Sequence, residues 1–310
     1  MGALLPTKRL IPLPGRAPED VVVDREGYLI VGVNDGRVLR VDPHSGEAKQ
    51  LANTGGRPLG LEVLPDGRIL ICDSPKGLLE LDTATGQLRE LVREYRGRAL
   101  PFCSNVVAAK DGTIYFSSST DRYTVRDWRK DIAENIPTGR LFRLRIDGRV
   151  EQLHDGLSFA NGLALAPDES WIVVAETGAY RLRRLWLTGP KTGRSEVFAD
   201  LPAFPDNCSM SADGLIWVAL ASPRNPALDK LHKTPLLVRM LAARLPAALQ
   251  PVPQRVTWVM AFSPDGRMVH NYLWTDGEYG MVTGVCQHGD TVFLGSLDEQ
   301  SILSFKLTSG

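Results

Sequence analysis

The sequence predicts an all-β protein, a six-bladed β-propeller with a helical insertion over one face. Three observations lead to this prediction. The chain consists mostly of short segments rich in Val, Ile, Leu, Tyr and Trp, as expected for β-strands. These segments come in pairs, and each pair flanks a turn that contains Asp, Gly or Pro. The pairs recur at a nearly constant spacing along the chain, which is typical of a repeat architecture.

The repeated unit is a pair of strand-like segments joined by a tight turn. The first pair covers residues 21–23 and 28–33, and five later copies follow it. The six turns end at Gly27, Gly67, Gly112, Glu169, Gly214 and Asp290. Where no insertion intervenes, successive turns lie 40 to 45 residues apart, the length of one four-stranded propeller blade. A β-sandwich is the weaker alternative, because it would show turns without this fixed repeat.

Two segments interrupt the repeat and account for its longer spacings. Residues 118–138 are polar and aromatic, and they predict a loop or a short helix over one face. Residues 225–250 carry leucines three and four positions apart, which predicts helix. This helical insertion is either a lid over a binding site or a solvated cover for a blade, and the sequence leaves both open. We expect residues 1–310 to form a single domain that includes both insertions.

Composition and charge exclude several classes of function. The chain has 36 basic and 36 acidic residues, so it offers no electrostatic basis for binding nucleic acid. Its most apolar stretch, residues 234–253, contains two arginines and four prolines, so we expect no transmembrane segment. Residues 1–14 do not resemble a secretion signal, which predicts a cytoplasmic protein. The four cysteines are widely spaced and are interpreted as buried free thiols.

The starts of the innermost strands predict a metal site. Counting back seven or eight residues from the end of each turn gives the position whose side chain can point into the central channel. These positions hold Glu19, Leu59, Asn105, Asn161, Asp206 and Thr283. Four of the six carry carboxylate or amide oxygens, which are the ligands of a hard cation. An irregular set of protein oxygens suits Ca²⁺ better than Mg²⁺, and without a cation the two carboxylates would repel each other.

Local turn geometry is the alternative explanation for these residues. Asn, Asp and Glu often begin strands because their side chains bond the nearby backbone. Four such residues at one register of different repeats favour the metal site over this explanation. Asn207, directly after Asp206, is either a further oxygen ligand or an ordinary turn residue.

Several motifs resemble one known family. FANGLALAPD at residues 159–168, VAETG at 174–178 and FPDN at 204–207 are similar to the strictosidine synthase-like group, and within it to the branch of adipocyte plasma membrane-associated proteins. The resemblance runs from about residue 18 to 305. The wider superfamily includes gluconolactonases and paraoxonases, which are six-bladed propellers with Ca²⁺ in the central channel. The resemblance implies that Glu19, Asn105, Asn161 and Asp206 are metal ligands, in agreement with the register count.

The chain departs from the family pattern at two channel positions. Thr283 stands where the strictosidine synthases that condense an amine with an aldehyde have a catalytic Glu. Leu59 stands where paraoxonases have a His near the metal. The resemblance therefore does not predict either of those mechanisms for this chain.

The favoured hypothesis is a Ca²⁺-dependent hydrolase of lactones or activated esters, with a small-molecule substrate. The gluconolactonase-like relatives imply that Asp206 positions or deprotonates the attacking water. Leu59 and Thr283 are expected to line the channel, and Tyr123 and Trp128 the substrate mouth.

Two other classes of function remain open at this point. In the first, the propeller is a non-catalytic calcium-binding interaction module whose helical insertion contacts a protein or a membrane surface. In the second, the protein is a biosynthetic synthase or isomerase whose chemistry comes from a residue other than Thr283, such as the nearby Glu278.

Overall fold

The computed structural model describes residues 5–246 and 249–307, and it confirms the predicted propeller. Six antiparallel sheets, each of four strands, surround a central channel. The first strands of neighbouring blades contact one another in a closed ring. Each first strand is therefore the innermost one, as the repeat predicts.

The blades follow one another along the chain. Blade 6 includes the N-terminal strand β1 (Lys8–Pro12). Blades 1 and 2 consist of β2 (Val21–Val23), β3 (Leu29–Gly32), β4 (Arg37–Val41), β5 (Ala48–Asn53), β6 (Arg57–Val63), β7 (Ile69–Ser74), β8 (Gly77–Leu81) and β9 (Leu88–Val92). A small hairpin, β10 (Glu94–Tyr95) and β11 (Arg98–Ala99), leads to blade 3, which consists of β12 (Cys103–Ala108), β13 (Ile114–Ser118), β14 (Gly139–Leu144) and β15 (Val150–Leu157).

The second half of the chain repeats this order. Blades 4 and 5 consist of β16 (Ala160–Leu165), β17 (Trp171–Glu176), β18 (Arg181–Trp186), β19 (Ser195–Asp200), β20 (Ala203–Met210), β21 (Ile216–Pro223), β22 (Thr257–Phe262) and β23 (Met268–Trp274). Blade 6 continues with β24 (Val282–His288), β25 (Thr291–Ser296) and β26 (Ser301–Lys306). Strand β1 pairs with β26, with Leu10 opposite Leu303. The ring is thus closed by strands from both ends of the described chain.

The turns that mark the repeat have a common local cause. In the first turn, Asp24 Oδ1 accepts hydrogen bonds from the backbone N–H groups of Glu26 (2.9 Å) and Tyr28 (3.0 Å). Gly27 has a φ of 87°, a conformation that glycine adopts without steric cost. One residue with positive φ recurs in all six turns, and it ends the inner strand and sets the register used to find the channel residues: Gly27, Gly67, Gly112, Glu169, Gly214 or Gly289.

The hydrophobic core lies between the blades. Trp217 and Val218 are neighbours in β21, yet they belong to different apolar layers, because successive strand side chains point to opposite faces. Trp217 packs with Tyr272 and Leu294 on the side of blade 6, and Val218 lies in the layer shared with blade 4. Both faces of this blade are buried, and burying each large side chain contributes about 1.5–3 kcal/mol.

Both insertions lie at the same end of the channel. Each connects the second and third strands of its blade, blade 3 for one and blade 5 for the other, and that connection is at the end where the first strand begins. Residues 118–138 contain a short 3₁₀ helix and α1 (Trp128–Glu134). Residues 225–250 contain α2 (Pro226–His232) and α3 (Leu236–Ala242) rather than one continuous helix, and Pro235 lies at the break between them.

Hydrogen bonds join the three helices into one roof. Arg239 Nη1 on α3 donates to the carbonyl of Glu134 at the end of α1 (2.6 Å). His232 Nε2 on α2 lies 2.8 Å from the carbonyl of Ile132 on α1. The Tyr180 hydroxyl donates to Asp229 Oδ1 (2.8 Å), which ties α2 to blade 4. Among the helices of the described residues, none is both long enough and apolar enough to cross a bilayer.

The four cysteines form no disulfide in the structure. Cys72, Cys103 and Cys208 are buried, while Cys286 is half-buried. Cys72 and Cys103 lie in neighbouring blades with their sulfur atoms 3.1 Å apart, and burial raises the pKa of Cys72.

Candidate functional site

The six channel residues lie around one end of the propeller axis, beneath the helical roof. Glu19 lies two residues before the first strand of blade 1, and the other five lie within the first strands of blades 2 to 6. All six are buried, and Asp206 is the most exposed of them at 8%. The structure thus places them at one level of the channel because the repeat holds every inner strand in the same register.

Direct hydrogen bonds connect the acidic and amide side chains across the channel. Asn161 Nδ2 donates to Asp206 Oδ1 (2.7 Å). Asn105 Nδ2 donates to Asn207 Oδ1 (3.1 Å), and Asn207 Nδ2 donates to Glu19 Oε1 (3.2 Å). Asn207 is therefore a member of the channel cluster. These five residues form what we call the acid–amide cluster: Glu19, Asn105, Asn161, Asp206 and Asn207.

The two amide oxygens of the inner strands differ in how they are held. Asn105 Oδ1 accepts from the backbone N–H of Leu163 (3.0 Å), which leaves one lone pair of this oxygen. Asn161 Oδ1 accepts from the Ser104 hydroxyl (2.8 Å). A hydroxyl can donate or accept, so a half-turn of the Asn161 amide would turn its oxygen toward Asp206 and keep the bond to Ser104.

Burial dominates the electrostatics of the cluster. It raises the pKa of Glu19 well above the usual range, and the neighbouring carboxylates of Asp206 and Asp20 add to that rise. Burial likewise raises the pKa of Asp206 to about 8 and that of Asp20 to about 7. Arg57 contributes one buried guanidinium near Glu19, and burial lowers its pKa. Three buried carboxyl groups thus share the channel with one side-chain cation.

Glu19 Oε2 shows that this site has unused binding capacity. This oxygen is buried and has no hydrogen-bond partner among the described residues. A buried, partnerless carboxylate oxygen is costly unless a cation or an ordered water contacts it. The carboxylate and amide oxygens of the acid–amide cluster are the ligand type of a hard cation, so the chemistry of the cluster fits such an ion.

An apolar cavity of about 320 Å³ lies directly over the cluster. Glu19, Asn161 and Asp206 lie at its floor with Ser104 and Thr177. Its walls are mostly apolar and come from the propeller and from all three helices of the roof: Leu59, Phe102, Phe159, Phe204, Trp128, Ile132, Leu228, Leu231 and Ala242, joined by Leu245 and Leu249. The roof therefore shapes the cavity as well as covering the blades.

The four residues expected to line the channel or the mouth lie in different surroundings. Leu59 and Trp128 line the cavity. Thr283 is fully buried, and its hydroxyl donates to the backbone carbonyl of Glu19 (2.6 Å), so it positions the strand instead. Tyr123 is turned away from the cavity because its hydroxyl donates to the buried carboxylate of Glu134 (2.8 Å).

Sequence reasoning missed three residues around the cluster. Asp20 accepts hydrogen bonds from the backbone N–H groups of Val21 (2.9 Å) and Leu61 (3.0 Å), which joins the inner strands of blades 1 and 2. Arg57 Nη2 donates to the carbonyl of Ala17 (2.7 Å). Ser104 holds Asn161. Asp20 and Ser104 are sequence neighbours of the predicted ligands Glu19 and Asn105, and this adjacency was the available signal.

Fold and site together define a class: six-bladed β-propellers with a buried acid–amide cluster at one end of the channel. Residues 15–226 match the family described as SMP-30/Gluconolactonase/LRE-like region. The chain belongs to this family.

Relatives and solved structures agree with this assignment. The chain is 34% identical over 270 residues to Protein STRICTOSIDINE SYNTHASE-LIKE 10 of Arabidopsis thaliana, a match that covers 80% of this chain and 72% of the relative. It is 30% identical over 328 residues to the adipocyte plasma membrane-associated protein of Rattus norvegicus, covering 97% and 86% of the two chains. These matches confirm the resemblance predicted from the sequence motifs.

Among solved structures, a gluconolactonase from Xanthomonas campestris superposes with a TM-score of 0.71 at 18% identity, covering 97% of this chain and 89% of that one. The calcium-binding protein regucalcin from Agrobacterium tumefaciens superposes with a TM-score of 0.68, also at 18% identity, covering 97% and 94%. At this identity the two structures establish the fold that they share with this chain.

Proposed function

We propose that the protein is a Ca²⁺-dependent hydrolase of lactones or activated esters. The observation that carries the proposal is the pairing of Glu19 and Asp206, two buried carboxyl groups at the floor of an apolar cavity, with Glu19 Oε2 left without a partner. Such a site combines a place for a cation with a space for an organic substrate. The membership of the chain in a family that includes gluconolactonases supports the same reading.

The acid–amide cluster would hold the cation. Glu19 and Asp206 supply two carboxylates, and Asn161 and Asn207 supply amide oxygens. Asn105 is a third amide candidate, because its oxygen, like those of Asn161 and Asn207, accepts one hydrogen bond and keeps a second lone pair. A bound divalent ion would polarise the substrate carbonyl and lower the pKa of a water molecule.

Asp206 is the residue that we propose to position and deprotonate the attacking water molecule. Its carboxylate lines the cavity floor, and Asn161 orients it through the 2.7 Å hydrogen bond to Oδ1. A carboxylate held in this way positions a water molecule for attack on the carbonyl and accepts its proton. Ser104 in turn holds Asn161, so it acts as a positioning residue rather than a catalytic one.

The walls of the cavity define the substrate class. Phe102, Phe159 and Phe204 form an aromatic wall, and the roof adds aliphatic side chains. A sugar lactone carries several hydroxyl groups that would lose their water hydrogen bonds against this surface. We therefore expect esters and lactones with an alkyl or aryl group, and poor turnover of polyhydroxylated lactones.

Two observations disfavour synthase chemistry. Thr283, at the position of the catalytic Glu of the condensing enzymes, is buried against the Glu19 backbone. Glu278 is exposed, forms an ion pair with Lys8 (2.7 Å) and is not part of the cavity lining.

The test is hydrolysis by the purified protein of a panel of aryl esters, alkyl lactones and polyhydroxylated lactones. Rates are measured on the protein as purified, after removal of metal with EGTA, and after Ca²⁺ is returned. We expect at least a tenfold loss with EGTA that Ca²⁺ restores, and the same loss in Asp206→Asn. Asp200→Asn is the matched control, since Asp200 is 74% exposed and paired with Arg224. Full activity in EGTA, or in Asp206→Asn, would contradict the proposal.

A further inference from the structure

The helical roof carries an unusual outer surface. Thirteen large hydrophobic side chains are exposed on the described residues, and seven of them fall between residues 236 and 252. We call these seven the aliphatic roof surface: Leu236, Leu237, Val238, Leu241, Leu245, Leu249 and Val252. Exposed apolar residues scattered singly are normal, whereas a contiguous group marks an interaction site.

The contacts of α3 with α1 orient the aliphatic roof surface toward solvent. Arg239 on α3 donates to the carbonyls of Glu134 (2.6 Å) and Asn135 (3.2 Å), so this side of the helix faces α1. Leu237 and Leu241 each lie two positions from Arg239, and therefore on the opposite side of the helix. They are 69% and 60% exposed. A rotation of α3 that buried the two leucines would break both hydrogen bonds of Arg239.

The segment is also basic. Residues 226–253 contain four Lys or Arg residues and one acid, Asp229, in a chain whose net charge is zero. Asp229 already accepts the hydroxyl of Tyr180. Lys230, Lys233 and Arg244 are exposed, and none of them forms an ion pair within the described part of the chain. The aliphatic roof surface therefore lies among uncompensated positive charges.

The surface is continuous with the cavity. Leu245 and Leu249 are 44% and 68% exposed, and both also line the cavity above the acid–amide cluster. An apolar path thus runs from the outside of the roof to the inside. A partner seated on the surface would lie at the mouth of the cavity.

We propose that the aliphatic roof surface docks onto a lipid bilayer that contains anionic headgroups. Aliphatic side chains next to basic ones match the acyl chains and the headgroup charges of such a bilayer. Protein interfaces, by contrast, are rich in aromatic residues at their centre, and the seven exposed side chains include none. Docking would place the cavity mouth against the lipid, from which apolar molecules can enter.

The proposal is tested by flotation of the purified protein with vesicles. One set consists of phosphatidylcholine alone, and the other of phosphatidylcholine with phosphatidylglycerol at about 7:3. We expect the protein to float with the anionic vesicles and Leu237→Ser/Leu241→Ser to bind them at least tenfold more weakly. Lys230→Gln/Lys233→Gln should weaken binding severalfold and reduce its salt dependence.

Ile146→Ser/Val197→Ser is the matched control. Ile146 and Val197 are also exposed, at 73% and 52%, but they lie on blades 3 and 4 away from the roof. The control should float like the unaltered protein. All variants change exposed side chains, and their unfolding temperatures verify the fold.

Three outcomes would overturn the proposal. In the first, the protein floats with neither vesicle type. In the second, the control variant loses as much binding as Leu237→Ser/Leu241→Ser. A third is a stable dimer, seen by light scattering, that Leu237→Ser/Leu241→Ser converts to monomer, since the surface would then bind a second copy of the chain. None of these readouts depends on hydrolytic activity.

Discussion

Gly162 lies so close to Asn207 that a Cβ on this glycine would stand 2.5 Å from the Asn207 Cα atom. The same relationship recurs in alternate blades. A Cβ on Gly60 would stand 2.5 Å from the Asn105 Cα, and one on Gly284 would stand 2.8 Å from the Asp20 Cα. Each glycine directly follows a channel position of blade 2, 4 or 6 and lets the next blade approach. The absence of a side chain here therefore closes the channel around the acid–amide cluster.

Gly162→Ala is expected to destabilise the protein and to weaken the binding of Ca²⁺. The new methyl group must push β16 away from β20, which displaces Asn161 from Asp206. Overpacking of this kind typically costs about 1–3 kcal/mol. Thermal unfolding measures the stability, and calcium titration by calorimetry measures the affinity. Gly189→Ala is the control, because its φ of 78° brings backbone strain while its Cβ would meet no atom within 4 Å. Equal calcium affinity in both variants would contradict the role of Gly162.

The arrangement of the blades could be predicted from the sequence because its causes are local. Asp24 and Gly27 determine the first turn by local hydrogen bonds and a positive φ, and a residue with positive φ ends the inner strand in the later blades. A constant distance from turn to strand start then places Glu19, Asn161 and Asp206 at one level. Alternation of side chains along a strand explains why a register count was sufficient.

The rest of the site depends on contacts between residues distant in the chain. Tyr123 points to Glu134 rather than into the cavity, and no local pattern indicates that preference. Thr283 occupies the predicted register but is held by the Glu19 backbone. Strand β1 pairs with β26 although almost the whole chain separates them, and the sequence of neither strand indicates this pairing. Side-chain direction and ring closure are tertiary properties, so the sequence motifs did not predict them.

Asp206→Asn is expected to stabilise the protein in EGTA and to abolish stabilisation by Ca²⁺. Without a cation the variant carries one fewer buried carboxyl group near Glu19, so less repulsion and desolvation oppose folding. With a cation it has lost a charged ligand. Calcium at about 100 times its dissociation constant would stabilise the unaltered protein by about 2.7 kcal/mol.

Calorimetric unfolding in EGTA and in Ca²⁺ measures both effects of Asp206→Asn. Asp200→Asn, which changes an exposed carboxylate, should retain the full calcium shift. A calcium shift of unchanged size in Asp206→Asn would show that Asp206 does not contact the ion.

Trp128→Ala is expected to reduce hydrolysis of esters with large apolar groups more than hydrolysis of small ones. Trp128 lines the cavity from α1, so its removal takes away apolar contact with a large substrate only. A single methylene group in an apolar pocket changes kcat/KM by roughly 10 to 200-fold, so the loss of an indole contact is large enough to measure. We expect a tenfold loss for a long-chain aryl ester and a change of less than twofold for the acetate.

Tyr123→Phe is the control for Trp128→Ala. This substitution removes the hydrogen bond to Glu134 but leaves the cavity lining intact, so the ratio of the two rates should not change. A selective loss in Tyr123→Phe, or a uniform loss in Trp128→Ala, would contradict this description of the cavity.

Asp131→Asn is expected to stabilise the helical roof at neutral pH. Asp131 on α1 is 2% exposed, and its Oδ1 has no hydrogen-bond partner among the described residues. Burial raises the pKa of Asp131 to about 6 from its ordinary value of 3.8. Between these two values the folded protein binds more protons than the unfolded chain, so the free energy of unfolding falls as the pH rises.

The amide variant removes this pH dependence. Its advantage should be near zero below pH 4 and should grow to about 1–3 kcal/mol above pH 6, since two pKa units correspond to roughly 3 kcal/mol at most. Urea unfolding at pH 4, 5, 6 and 7.5 measures it. Asp127→Asn is the matched control one turn earlier, where an exposed carboxylate pairs with Lys130 at 2.7 Å and its removal should be neutral or slightly destabilising. Destabilisation by Asp131→Asn at pH 7.5 would mean that the buried carboxylate has a partner that holds it charged, and that the roof depends on that charge.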